Sequence, residues 1–249
     1  KYDPDKMVLA WTGGKDSTLL LWIIREVCNE TGRKLPNCFL IDEGDMFEEV
    51  REFVKDLSDK WDIGVTFLHN KNVSDAVGGE LGAMVQVADL SERNRRELVR
   101  LGFEEDEFPY EPESFVGNHL MKTVPLNEFL EKERVEAFFE GIRWDEQEAR
   151  ADETYFSARK ATEYNPEHMR VFPILHFLER EVWEAHFAYD IPICDLYRRG
   201  YRSLGARGTT GKTTDVPAWD QDLENTSERG GRQQDKEGVM KKLRELGYM

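Results

Sequence analysis

The feature that most constrains the fold is a short polar turn near the start of the chain, residues 12–17, with the sequence Thr-Gly-Gly-Lys-Asp-Ser. An apolar run at 7–11 directly precedes the turn, and a second run at 19–24 follows it. This order predicts a strand, a glycine turn and a helix. Backbone N–H groups at the start of a helix lack partners within the helix, and together with the helix dipole they favour phosphate. The segment therefore predicts a phosphate-binding turn after the first strand.

The side chains of the turn support this interpretation. Gly13 and Gly14 allow a sharp bend and a close approach of the backbone to an anion. Lys15 adds a positive charge, and Ser17 can cap the helix or donate a hydrogen bond to an oxygen atom. An ordinary strand–helix turn with a polar cap is the alternative. The order of Lys, Asp and Ser after the glycines favours phosphate binding.

The N-terminal half of the chain alternates between apolar runs and helical segments. We predict strands at 7–11, 37–42, 65–69 and 135–141, and helices at 17–29, 45–61 and 125–134. Strands joined by helices of this length form right-handed crossovers, which give a parallel sheet with helices on both faces. Ligands of such sheets bind beyond the carboxyl ends of the strands. The Gly13 turn, Asp42 and Arg143 should therefore lie at one edge.

Residues from about 71 to 116 interrupt this alternation and are too long for a simple connection. The length predicts an insertion with short helices of its own, one of them at 92–100. The acidic run at 103–113 is predicted to be a solvated loop, with a lid or a partner contact as the alternative.

The tail is rich in Gly, Thr and Arg as far as a short helix predicted at 236–246. We predict a nucleotide-binding α/β domain at 1–197 and a C-terminal flap at 198–249. Basic residues spaced by glycines occur at 201–205 and 227–232, which indicates a mobile flap that carries arginines over an anionic substrate. A disordered tail is the alternative.

The charge balance limits the partners of this chain. A net charge of −16 argues against general nucleic-acid binding, because a phosphate backbone requires clustered positive charge. The composition does not separate ordinary acidity from adaptation to high salt. No run of 18 apolar residues and no signal-peptide pattern occurs, which predicts a cytoplasmic protein with no membrane partner. We interpret the start at Lys1 as processing or trimming.

The cysteine and histidine residues predict no metal or cluster site. Cys28, Cys38 and Cys194 are scattered and have no ligand spacing, so we expect free, buried thiols in a reducing compartment. Cys194, on a predicted loop, is the one candidate for reactivity. We assign the five His residues structural or surface roles.

Two further basic motifs accompany the turn. Arg143 follows the fourth predicted strand and is a candidate bidentate ligand of an anion close to the first turn. If residues 145–159 form a helix, Glu146 and Arg150 are partners at i and i+4. Residues 208–213 resemble a Walker A loop, but Ala206 replaces the required first glycine. A flexible loop that closes over a nucleotide is the remaining interpretation of that segment.

Together these motifs resemble a known family. The turn at 12–17 is similar to the Ser-Gly-Gly-x-Asp-Ser signature of the ATP pyrophosphatase superfamily, with Thr12 for the first serine. The segments at 141–151, 170–174, 201–205 and 226–232 resemble, in the same order, the small subunits of bacterial-type ATP sulfurylase. Those subunits belong to the wider phosphoadenosine-phosphosulfate reductase family. The insertion departs from that pattern.

The resemblance implies an adenine-nucleotide α-hydrolase-like, Rossmann-like fold with ATP on the glycine turn and adenine near the end of the second strand. It implies an ATP-binding set of Thr12, Gly13, Gly14, Lys15, Asp16, Ser17, Asp42, Gly141 and Arg202. It also implies that Asp16 places Mg²⁺ or orders the loop. The charge-stabilising catalytic set is Lys15, Arg143, Arg150, Arg229 and Arg232.

The activity implied by the resemblance is adenylyl transfer from ATP to sulfate, with a GTPase large subunit as partner. Sulfate is already ionised, so the reaction needs positioning and positive charge rather than a general base. The tail lacks the cysteine of the reductases, so we expect neither sulfonucleotide reduction nor an iron–sulfur, haem or flavin group. The alternatives are another acceptor, such as FMN or a thiolation substrate, and a non-catalytic nucleotide-binding subunit. A second copy of this chain, in a homo-oligomer, is a further candidate partner.

Overall fold

A computed structural model of the protein describes residues 2–147, 150–162 and 165–231. The strands are β1 Met7–Ala10, β2 Asn37–Ile41, β3 Val65–Leu68, β4 Met84–Gln86, β5 Glu107–Pro109, β6 Ala137–Glu140, β7 Phe156–Arg159 and β8 His168–Val171. The α-helices are α1 Lys15–Thr31, α2 Glu48–Trp61, α3 Lys71–Asp75, α4 Glu92–Arg100, α5 Phe115–Asn118, α6 Val124–Glu133 and α7 Glu179–Ala188. A π-helical turn, His119–Thr123, joins α5 to α6.

Six strands form the main sheet in the order β3-β2-β1-β6-β8-β7. All neighbours are parallel except β7, which runs antiparallel to β8 at one edge. Apolar residues from the central strands are buried on both faces, as expected of strands covered by helices. Leu9 packs in a core with α1, α2 and α7, whereas Val8 packs with α6 on the opposite face. The predicted parallel sheet with helices on both faces is confirmed.

The four predicted strands and the four helices predicted at 17–29, 45–61, 92–100 and 125–134 occur close to their expected bounds. The sequence did not predict β7, β8 or α7, and a helix across 145–159 is wrong for the described part of that segment. Residues Trp144–Glu146 form a short 3₁₀ turn, and the chain then becomes the edge strand β7. Pairing of Ser157 with Arg170 in the sheet replaces the local helical preference.

The insertion builds a small core of its own. Strands β4 and β5 form an antiparallel pair. Val85 and Phe108 of this pair pack in one core with Leu98 and Leu120. The acidic run at 103–113 is therefore not wholly a solvated loop, and that prediction is wrong for β5. Alternation within the run turns Phe108 and Tyr110 inward.

The described part of the predicted flap, 198–231, has no α-helix and only short 3₁₀ turns. It nevertheless packs against α7, because Trp219 makes edge contacts with Trp183 and Phe187 of that helix, and Ala218 is fully buried in the largest core. The predicted helix at 236–246 lies outside the described residues. None of the helices in the described ranges combines the length and apolar character that a bilayer crossing requires.

His168 in β8 generates a test of the fold. Burial lowers the pKa of this imidazole to about 4, and the nearby charges of Arg170 and Arg159 act in the same direction, whereas a hydrogen bond to the Pro166 carbonyl opposes them. The ring stacks on Phe138 with centroids 5.3 Å apart. Because the folded-state pKa lies below the ordinary value of 6.5, the neutral ring favours folding above that pH. This stability is lost as pH falls from there toward 4.

In the wild type, His168 should lower the free energy of unfolding by about 3 kcal/mol between pH 6.5 and 4. We expect the His168→Phe variant to lack most of this decrease. Urea denaturation at several pH values measures it. The exposed His176→Phe variant is the control and should retain the wild-type pH dependence. An unaltered pH dependence in His168→Phe would contradict the expectation.

Candidate functional site

The glycine turn between β1 and α1 is held in shape by its own hydroxyl groups. Gly13 adopts a left-handed conformation with φ of 75°, which favours glycine, and Gly14 is the N-cap of α1. The backbone N–H of Thr12 donates to Ser17 Oγ at 3.2 Å, and this hydroxyl donates to the Gly14 carbonyl at 3.1 Å. These contacts fix the start of α1 at the carboxyl end of β1.

The neighbouring strand β6 approaches the same point. A Cβ atom at Gly141, which follows β6, would lie 2.9 Å from backbone atoms of Asp16 and Ser17. Only a residue without a side chain allows this approach, and Arg143 follows two positions later. The parallel pairing of β1 and β6 thus brings Arg143 to the first turn of α1, as the sequence predicts.

Lys15 and Arg143 lie in a buried cluster of charges. Lys15 Nζ donates to Glu228 Oε1 at 2.6 Å and to Asp16 Oδ2 at 3.2 Å. Arg143 Nη2 donates to Glu228 Oε2 at 2.5 Å, Nη1 contacts Asp16 Oδ1, and Nε donates to Asp145 at 2.8 Å. Side chains of Arg143, Lys15 and Glu228 are 0%, 1% and 5% exposed. One carboxylate from the C-terminal segment therefore bridges both cations.

The cluster keeps its members ionised. Burial alone would raise the pKa of Glu228, but the adjacent Lys15 and Arg143 charges hold that pKa well below its usual range. Burial acts to lower the pKa of both Lys15 and Arg143, but the charge of Glu228 outweighs it, and both pKa values are raised. At neutral pH the three side chains are charged.

A second set of contacts supports this cluster from below. Asp145 also accepts from the Glu179 backbone N–H at 2.8 Å, which caps α7. The Glu179 carboxylate accepts from Arg202 Nη2 at 2.7 Å, and its other oxygen lies 3.9 Å from Lys15 Nζ. Tyr197 accepts from the Lys15 backbone N–H at 2.8 Å through its hydroxyl oxygen and so caps α1.

A cleft of about 270 Å³ opens beside the cluster, at the carboxyl ends of β1, β2 and β6. Leu40, Ile41 and Met46 supply an apolar side at the end of β2. The opposite side is polar and includes the glycine turn and the basic residues Arg150 and Arg229. The cleft therefore offers an apolar wall next to a charged floor, as a ligand with a flat ring and an anionic group requires.

Some of the predicted site residues line the cleft in the structure, and others do not. Thr12, Gly14, Lys15, Asp16, Ser17 and Gly141 line the cleft, and Gly13 lies in the turn beneath. Arg150 contacts Glu146, and Arg229 Nη1 lies 3.3 Å from the other oxygen of the same carboxylate. The predicted Glu146–Arg150 pair therefore exists without the predicted helix. Arg143 lies behind Glu228 and does not line the cleft.

Two predicted residues point elsewhere, and one lies outside the described residues. Asp42 pairs with Arg51 at 2.7 Å and accepts from the Gly44 N–H, so its neighbours Ile41 and Glu43 line the cleft instead. Arg202 donates to Glu179 and to the carbonyls of residues 222 and 223, which turns its guanidinium away from the cleft. Arg232 lies outside the described residues.

Sequence reasoning missed the acidic partners of the site, Glu228, Glu179 and Asp145, and the Tyr197 cap. Glu228 stands within the basic segment Ser227-Glu228-Arg229, and a carboxylate flanked by arginines and glycines was a usable signal. Glu179 and Tyr197 contact Lys15, which is far away in the chain, and no local pattern indicates those pairings. Asp145 lies only two residues after Arg143, so this pair was a local signal that sequence reasoning did not use.

No group of three or more His, Cys, Asp or Glu in the described ranges could hold a metal ion. Both oxygens of Asp16 accept from cationic groups, so Asp16 in this arrangement does not fit a magnesium ligand. Cys28, Cys38 and Cys194 are free and buried. Burial raises the pKa of Cys194, which disfavours the reactive thiolate.

The parallel sheet, the glycine turn and the cleft at the strand ends define an adenine-nucleotide α-hydrolase-like protein. The model of the phosphoadenosine phosphosulfate reductase domain matches residues 6–212, and the chain belongs to this family.

Among curated relatives, sulfate adenylyltransferase subunit 2 of Chelativorans sp. is 30% identical over 223 residues, which cover 82% of this chain and 64% of that protein. The protein of the same name from Brucella anthropi is 34% identical over 125 residues, 43% of this chain and 41% of that protein. The chain thus matches less than two thirds of the length of these relatives.

Two solved structures share the fold at low sequence identity. Candida glabrata FMN adenylyltransferase, in complex with FMN and the ATP analogue AMPCPP, has a TM-score of 0.58 at 19% identity, covering 96% of this chain and 70% of that one. The phosphoadenylyl-sulfate reductase of Candida auris has a TM-score of 0.56 at 14% identity, covering 84% and 91%. At such identities the likeness concerns the fold.

The close approach at Gly141 yields a prediction. A methyl group there must displace the backbone of α1, so we expect Gly141→Ala to lower the free energy of unfolding by about 1–3 kcal/mol. Chemical denaturation measures this. The Gly64→Ala variant is the matched control, because its Cβ would meet only Asn37 Oδ1, at 3.4 Å. Equal stabilities of the two variants would show that β6 does not constrain α1.

Proposed function

We propose that this protein transfers the adenylyl group of ATP to sulfate, which forms adenylyl sulfate and releases pyrophosphate. The observation that carries the proposal is that Lys15 and the glycine turn line a cleft with one apolar wall, with Arg143 buried directly behind Glu228. The names of the curated relatives support sulfate as the acceptor. Family membership alone does not distinguish this reaction from reduction.

In the proposed complex the adenine packs against Leu40, Ile41 and Met46 at the end of β2. The phosphates extend toward Gly14 and the first turn of α1, where the helix dipole and backbone N–H groups favour negative charge.

The reaction itself needs charge stabilisation and alignment. A sulfate oxygen attacks the α-phosphorus of ATP, the bond from that phosphorus to the bridging oxygen breaks, and pyrophosphate leaves with the electron pair. No proton is transferred at the nucleophile, so a general base is unnecessary. Lys15, Arg143, Arg150 and Arg229 are proposed to stabilise negative charge on the phosphates and the incoming sulfate. A bound Mg²⁺ would supply further positive charge, and no step assigned to these residues depends on it.

FMN is the second candidate acceptor, because a cavity of about 400 Å³ adjoins the cleft. Asp45 and Ala206 line both spaces, and Tyr110 and Pro112 of the insertion line the second. Its apolar surface suits a flat ring. The carboxylates of Asp45 and Glu113 in the same lining oppose the phosphate of FMN, which leaves sulfate as the first choice.

The relatives are named as second subunits, so we also propose a large-subunit partner, with GTP hydrolysis as its contribution. That partner would couple an unfavourable adenylylation to an energy-yielding reaction. A nucleotide-binding subunit without catalytic activity is the remaining alternative, and it would bind ATP without turnover.

Pyrophosphate release tests the proposal, with the purified chain assayed alone and with its large subunit. ATP with sulfate should give release that exceeds ATP alone or ATP with FMN. Lys15→Ala should lower the sulfate-dependent rate by about 10²–10³-fold, the usual effect of removing one charge-stabilising group. Circular dichroism checks that the variant is folded.

Lys132→Ala is the control, since this lysine is 82% exposed and remote in sequence from the turn. It should retain the wild-type rate. Absence of sulfate-dependent release in both preparations would exclude the activity, and an unchanged rate in Lys15→Ala would favour the non-catalytic alternative.

A further inference from the structure

The buried carboxylate of Glu228 occupies a position suited to a ligand anion. Lys15 Nζ lies 2.6 Å from one of its oxygens, and Arg143 Nη2 lies 2.5 Å from the other. Carboxylates and phosphates accept from the same ammonium and guanidinium donors, and either anion can place one oxygen on each of two cations. The chain has therefore placed one of its own anions between the two cations, at a point where Lys15 and Glu228 line the cleft and Arg143 lies behind them.

The charge balance of this cluster opposes a second anion. The cluster contains three cations, Lys15, Arg143 and Arg202. They contact four carboxylates, those of Asp16, Asp145, Glu179 and Glu228. With Glu228 in place the cluster carries a net negative charge, and without Glu228 it is neutral. A polyphosphate that entered beside Glu228 would meet repulsion in a poorly hydrated space. Exchange of the internal anion for the ligand anion removes that obstacle.

Glu228 belongs to the segment in the best position to move. Asp16 and Asp145 lie beside α1 and β6, whereas Glu228 lies in 227–231, which the described contacts hold by few bonds. The Gly211 N–H donates to the Gly231 carbonyl at 2.8 Å, and Arg229 contacts Glu146 at 3.3 Å. The segment can leave with little disruption of the sheet.

We propose that Glu228 is an internal competitor for the phosphate subsite, and that the segment 227–231 withdraws when ATP or pyrophosphate takes its place between Lys15 and Arg143. The proposal rests on the proposed function only in taking the ligand to be a phosphate of ATP or its product. Release of pyrophosphate is then assisted by the return of Glu228 to the two cations.

Calorimetric titration of the full chain with inorganic pyrophosphate and with MgATP tests the competition. Glu228→Gln keeps the size of the side chain and removes its charge, so we expect at least a tenfold tighter Kd for pyrophosphate than in the wild type. Glu224→Gln is the matched control, because it removes a charge just before that segment, at an exposed pair with Arg180. Its Kd should stay within twofold of the wild type.

Hydrogen–deuterium exchange of the wild-type protein gives a second measurement that does not depend on the folding of a variant. Saturating pyrophosphate should speed exchange of the backbone amides at 227–231, whose segment withdraws. Unchanged or slower exchange with pyrophosphate bound, or a Glu228→Gln affinity no greater than wild type, would overturn the proposal.

The two proposals fail separately. A wild-type protein that adenylylates sulfate, with a Glu228→Gln variant that binds pyrophosphate no more tightly, overturns the competition alone. A Glu228→Gln variant that binds pyrophosphate tightly in a protein without sulfate-dependent turnover overturns the adenylyl transfer alone. Failure of both proteins to bind pyrophosphate or ATP overturns both.

Discussion

The arrangement of the carboxyl edge depends on the burial of two positive charges. Lys15 begins α1, Arg143 follows β6, and their shared counter-ion Glu228 comes from a segment 213 residues after Lys15. Removing one partner of a buried ion pair costs about 3–5 kcal/mol, because an uncompensated charge remains. The ion pairs therefore hold three distant parts of the chain together. The same need for compensation explains why Asp145, two residues after Arg143, and Glu179, at the start of α7, also lie close to the cations.

This dependence connects stability with binding. A site that collects cations for a polyphosphate ligand must neutralise them when no ligand is bound, and this chain does so with carboxylates. Most of those carboxylates lie on regular elements or beside them, whereas Glu228 lies on an irregular segment. Under the proposed competition, the affinity of the site for phosphate would depend on how easily that one internal anion leaves, and not only on how many arginines surround the cleft.

The insertion and the C-terminal segment meet at the loop after β2. Asp45 accepts from the N–H of Gly208 at 2.6 Å, and its carbonyl accepts from the N–H of Arg207 at 2.8 Å. Tyr110 of the insertion closes on Gly44, where an added Cβ would lie 2.1 Å from the tyrosine hydroxyl. The C-terminal segment lines the cleft beside this loop, whereas the insertion holds the loop in place and lines the adjoining cavity.

Local pattern determined much of this protein. The apolar runs and the glycine turn were enough to predict β1, β2, β3 and β6, their parallel direction and the presence of Arg143 beside α1. These features follow from neighbouring residues and from the handedness of crossovers. Tertiary structure alone decided that β7 is an edge strand, that Asp42 and Arg202 turn to other partners, and that Glu228 bridges Lys15 and Arg143. Those outcomes depend on charges and strands that are far apart in the chain, and only the folded protein brings them within reach of one another.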